Sequence, residues 1–170
     1  IEHLAERVIA LTGSPSTVTR VPYADVYGPS FADTRRRVPD VTKASGGATV
    51  FDLSLGPDGL LYLAGSFDRV GGLVRNNVAA IDPNDGSVAP FSPGTSAAKS
   101  VLATSGAIYV GTSKLLSFEP NGSPSPGFDP PEVETDPSLR GHNTPPQVRD
   151  MVLAGDTIMA ACQCDSTLEG

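Results

Sequence analysis

The chain has 170 residues, 39% of them hydrophobic, enough for one compact domain or two small ones with a core of ordinary density. Its 18 Gly and 16 Pro make one residue in five a helix breaker, which excludes an architecture of long helices and favours short strands joined by turns. A formal net charge of −7 leaves Arg35-Arg36-Arg37 as the one basic cluster, so no nucleic-acid partner is expected. The longest apolar runs are about five residues against the roughly 20 of a spanning helix, so no membrane span is expected either. No basic-then-apolar signal peptide opens the chain, and because it begins at Ile1 an upstream signal or domain is left open.

From Ile1 to Leu11 the apolar residues Ile1, Leu4, Ala5, Val8, Ile9 and Leu11 recur at three- and four-residue spacing, which predicts an amphipathic helix. Gly13 stands at the C-cap position and Pro15 blocks continuation. Thr17–Pro22 alternates in β-branched fashion and reads as a strand. The order Ala5-Glu6-Arg7-Val8-Ile9, Leu11-Thr12-Gly13-Ser14, Val21-Pro22-Tyr23, Arg35-Arg36-Arg37-Val38-Pro39-Asp40 and Lys43-Ala44 resembles the C-terminal part of NAD-dependent sugar epimerases and dehydratases, the extended short-chain dehydrogenase family. By that resemblance, residues 1–44 belong to a small domain over a nucleotide-sugar, with Arg36 or Arg37 on its diphosphate, a role that suits a guanidinium fork. The alternative is a solvated arginine cluster. The chain lacks the family's Gly-rich fingerprint and its tyrosine-lysine pair four apart, so no cofactor is expected in this chain, and NAD only with a dinucleotide-binding domain upstream.

Ser45-Gly46-Gly47-Ala48 breaks that pattern, and the boundary is placed at about residue 45, where the join reads equally as a natural fusion or an artificial one. Three copies of one unit follow, with bounds at 45–97, 98–141 and 142–170. The first has Val50–Leu55, a turn at Gly56–Gly59 and Leu61–Ser66. The second has Lys99–Ala103, a turn and Ile108–Ser113; the third has Val148–Leu153, a turn and Ile158–Ala161. Tyr62 to Tyr109 is 47 residues and Tyr109 to Met159 is 50, a blade-like period. The second halves match as well: Val78–Ser87 with Phe91 pairs with Leu115–Ser123 with Phe128, so four short strands are expected per copy.

Tyr62, Gly65, Phe67, Val70-Gly71-Gly72, Arg75-Asn76, Ala79, Asp82-Pro83 and Gly86 resemble bacterial β-propeller repeats of the delta-sixty type. The resemblance implies a mainly β chain, a partial β-propeller of two to three blades preceded by a short α/β segment. It implies further blades downstream, exposed terminal faces, and a non-catalytic binding or scaffold role toward a protein or glycan ligand held by loops such as Asp129–Gly141. An extracellular or envelope location follows for that part, and a cytoplasmic one for the epimerase-like part. The competing reading is an inactive remnant of a nucleotide-sugar epimerase or dehydratase.

Other constellations carry less. Asp82-Pro83-Asn84-Asp85-Gly86 lacks the spaced carboxylates of a calcium loop and reads as a turn, as does Asn121-Gly122-Ser123 despite its sequon. His3 and His142 read as surface residues, and Ser113-Lys114 as neighbours facing opposite ways on a strand rather than a dyad. Cys162 and Cys164, two apart on one expected strand, are poorly placed to bond each other and are expected to be buried or idle thiols. No catalytic or metal site is expected.

Overall fold

A computed structural model describes residues 9–11, 18–20, 39–130 and 146–163. The chain divides into two compact units, Ile1–Val38 and Pro39–Gly170. In the first, β1 (Ile9–Leu11) pairs antiparallel with β2 (Val18–Arg20), Leu11 opposite Val18. The end of the expected N-terminal helix is therefore a strand. Helical periodicity over so few residues does not offset the cost of nucleating a helix. Ile9 and the β-branched Val18 and Thr19 instead satisfy their backbone groups across a hairpin. Residues 1–8 of the expected helix, with Gly13 and Pro15, lie outside the described residues.

The second unit is mainly β, built of small antiparallel sheets, with no helix among its described residues. The largest sheet contains β4 (Thr49–Leu55), β5 (Leu61–Ser66) and β8 (Val78–Ile81), in the order β4-β5-β8. A small sheet of β3 (Val41–Thr42), β6 (Arg69–Val70) and β7 (Leu73–Val74) lies with it. Val41 packs on the cluster of Leu63, Phe67, Val70, Ala79 and Ile81, so Val41–Thr42 belong to this unit, ahead of the composition change near residue 45. The next sheet holds β9 (Ser100–Ala103), β10 (Ile108–Gly111) and β11 (Leu115–Phe118), and the last pairs β12 (Gln147–Ala154) with β13 (Thr157–Gln163).

The expected fourth strand of each copy shrinks to one bridge, Ile81 with Val88 and Phe118 with Pro124. Pro90, Pro124 and Pro126 have no backbone N–H to continue a ladder. What remains is register-matched in the two copies: Ala89 N donates to Ala80 O at 2.8 Å, and Ser125 N to Ser117 O at 2.9 Å. The turns before these bridges also correspond. Asp82 N donates to Ser87 O and Glu119 N to Ser123 O, both at 2.8 Å, while Gly86 and Gly122 take positive φ values of 76° and 87°. The Asp82 and Asp85 carboxylates accept from Asn84 N and Ser87 N, and Asn121 Oδ1 accepts from Ser123 N, so these side chains close turns.

Cross-strand register aligns the three copies residue by residue. Asp52 faces Ala64, Ser100 faces Gly111 and Asp150 faces Ala161, and each pair holds the same position in its sheet. A β-bulge falls at the same place in β4 and β12, between Val50 and Asp52 and between Val148 and Asp150. The sheets then stack by one repeated contact. Ala98 N donates to Gly65 O at 3.0 Å, and Val148 N donates to Thr112 O at 2.9 Å. Beside the first, Asp52 Oδ2 accepts from Val101 N at 2.8 Å and Ser54 Oγ from Ala103 N at 3.0 Å. Beside the second, Ser100 Oγ donates to Val148 O at 3.0 Å. Between the first two sheets Tyr62, Ala64, Val78 and Ala80 meet Val101, Ile108, Val110 and Phe118 in the main core.

Close approach at this contact demands a residue without a side chain. A Cβ at Gly111 would run into Ser100 Oγ and lie 2.6 Å from Val148 O. Gly111→Ala is expected to destabilise the chain by about 1–3 kcal/mol through overpacking, read as a lower urea midpoint with an unchanged slope. Ala at the open Gly106, which has nothing within 4 Å of a built Cβ, is the control and leaves the midpoint nearly unmoved.

Candidate functional site

The aromatic pair of each copy shows what the stack covers and what it leaves open. Tyr62 and Phe91 meet edge to face, ring centroids 5.1 Å apart at 86°, and both are buried beneath the second sheet. The Tyr62 hydroxyl donates to Asp58 Oδ2 at 2.8 Å. Burial first, then the Asp58 hydrogen bond and charge, push the phenol well above its ordinary range.

The corresponding pair, Tyr109 and Phe128, has centroids 5.7 Å apart at 64° and is only half-buried. The two-stranded β12–β13 sheet packs on β9 and β10, and among the described residues no third strand extends it over β11. The result is an open groove of about 430 Å³ lined by Ala107, Tyr109, Ser117, Glu119, Ser125 and Phe128. Ser117 Oγ donates to Ser125 Oγ at 2.8 Å, and Glu119 Oε2 accepts from Asn121 Nδ2 at 3.2 Å at the rim. Aromatic faces beside hydroxyls and one carboxylate suit a ligand with an apolar face and several hydroxyl or amide groups. Among the described residues no three His, Cys, Asp or Glu side chains come together as a metal-binding group.

Arg36 and Arg37, the expected diphosphate contacts, lie outside the described residues, as do His3, His142, Cys164 and all of the expected loop Asp129–Gly141 except Asp129 and Pro130. Ser113 and Lys114 sit in the β10–β11 turn, which Thr112 closes by accepting from Lys114 N. Cys162 corrects the expectation of idle thiols: it is exposed and disulfide-bonded.

Sequence reasoning missed the groove, although it had aligned Phe91 with Phe128 and Tyr62 with Tyr109. The available signal was Ser117 standing where the first copy has Ala80, a polar residue at a core position. Asn77 was also missed. It is the one non-glycine at positive φ among the described residues, and its side chain ties Phe67 N to Thr95 O.

Two outcomes follow from the contrast between the pairs. Phe91→Ala is expected to cost about 3–5 kcal/mol, a full core truncation, whereas Phe128→Ala costs about 1 kcal/mol, both read by chemical denaturation. Raising the folded pKa of Tyr62 above its unfolded value gives stability that is complete below pH 10 and is lost as pH rises further, since the unfolded chain ionises first. Tyr62→Phe should therefore flatten the alkaline decline in stability, at a cost of about 1 kcal/mol at neutral pH for the lost hydrogen bond. The chain matches no family model, no curated protein and no solved structure.

Proposed function

We propose that residues 45–170 are β-propeller-type repeats forming a non-catalytic binding or scaffold module of a larger bacterial protein, with a protein or glycan as ligand. The observation that carries this reading is the repeated stacking contact, Ala98 N to Gly65 O and Val148 N to Thr112 O, made at matching positions of successive sheets. Such a stack presents its turns and sheet ends as a rigid surface, and the Tyr109–Phe128 groove is the concave part of it. A glycan suits the groove best, since a sugar ring offers a face to the aromatics and hydroxyls to Ser125 and Glu119. The Cys162 disulfide supports an oxidising extracellular or envelope setting.

The reading is tested by titrating soluble envelope oligosaccharides into the labelled chain and following amide shifts. Shifts centred on Tyr109, Ser117 and Phe128, abolished by Tyr109→Ala, are expected. Calorimetric binding of a nucleotide-sugar that is lost on changing Arg36 and Arg37 to Ala would replace this reading with the epimerase-remnant one.

A further inference from the structure

Cys162 lies in β13 (Thr157–Gln163), exposed and disulfide-bonded. The sequence holds one further cysteine, Cys164, with Gln163 alone between the two. A bond between them closes a loop of three residues, so it restrains the unfolded chain very little and adds little as a staple. Its spacing is also at odds with a strand. Residues two apart on a strand are separated by about 6.6 Å along its axis, whereas bridged cysteines bring their Cβ atoms to roughly 3.5–4.5 Å. The bond therefore competes with extended backbone around Gln163. A disulfide strained by its spacing and open to solvent belongs to the labile class that exchanges with thiols.

The position in the stack argues the same way. Cys162 faces Val148 across the β12–β13 ladder, as Gly65 faces Val50 in the first sheet. Val148 is buried and anchors the last sheet: its N–H donates to Thr112 O at 2.9 Å, and its carbonyl accepts from Ser100 Oγ at 3.0 Å. The part of β13 that bears Cys162 is thus held through its partner strand, with no need of sulfur. Gly65 fills the equivalent place of the first sheet without a side chain at all. The chain carries a disulfide where its fold does not require one, exposed and on an anchored support.

We infer that Cys162 and Cys164 form a redox-active disulfide that takes two electrons from a dithiol. A substrate thiolate attacks one of the two sulfurs; the S–S bond breaks, a mixed disulfide forms, and the other cysteine leaves as a thiolate that takes up a proton. The substrate's second thiolate then attacks its own sulfur in the mixed disulfide. The substrate departs as a disulfide and the chain holds two thiols, the two protons of the dithiol now being on the cysteines. This activity goes beyond the binding role and rests on neither the groove nor its ligand.

The test incubates the full, oxidised chain with an equimolar dithiol, dihydrolipoate, at neutral pH, quenches with acid and counts thiols by alkylation and mass spectrometry. Peptide mapping of the untreated chain is expected to show Cys162 joined to Cys164. At least half of the chains are expected to gain two thiols, with an equal amount of lipoate formed. Circular dichroism and the urea midpoint should coincide for the oxidised and reduced chains, because the bond is not a staple. Cys164→Ser, treated with oxidised glutathione, should retain one glutathione on Cys162, whereas the reduced unaltered chain expels it as its own bond closes. A bond that stays oxidised under dihydrolipoate in the folded chain, reduction that lowers the urea midpoint, or Cys162 joined to a cysteine of another molecule would each overturn the inference.

Discussion

One repeated backbone hydrogen bond, from the following sheet's strand to a carbonyl at the end of the second strand, joins each sheet to the next. Gly65 O takes Ala98 N, and Thr112 O takes Val148 N. A buried carbonyl without a partner is costly, so each step is favoured by a group that the following sheet satisfies. The polar side chains at the joins act to the same end: Asp52 and Ser54 draw in the edge of β9, and Ser100 that of β12. These bonds fix the register, and the apolar layer between Tyr62, Val101 and Val110 fills the space so defined.

Strand pairs were legible because their signals are local. Alternation in Val50–Leu55, Gly-rich turns and the tyrosine period place β4, β5, β9, β10, β12 and β13 within a residue or two. The four-strand expectation exceeded what the backbone supports, since the prolines that mark the last hairpin also withhold the donors its outer strand needs. The last three residues of the expected N-terminal helix, Ile9–Leu11, form a strand for a related reason. Periodicity reports which side of an element is apolar, and a short apolar run with β-branched neighbours satisfies a hairpin as readily.

The candidate site was not legible, because it arises from a difference in coverage and not from a motif. Tyr62–Phe91 and Tyr109–Phe128 are the same pair in sequence and nearly the same in geometry. One is a core element and the other lines a groove, and among the described residues the distinction lies in whether the neighbouring sheet has two strands or three. Copies of a repeat can thus diverge in role while the residues themselves stay constant.

The connectors between sheets differ, spanning residues 82–99 before β9 and 119–146 before β12, yet both deliver their strand to the same kind of seat. Register is held by the strands on arrival and owes nothing to the length of chain that brings them. Loop closure grows only slowly more costly with length. The exposed turn within the first connector, Asp82–Gly86, is therefore where the chain can accept inserted sequence while its stack keeps its alignment.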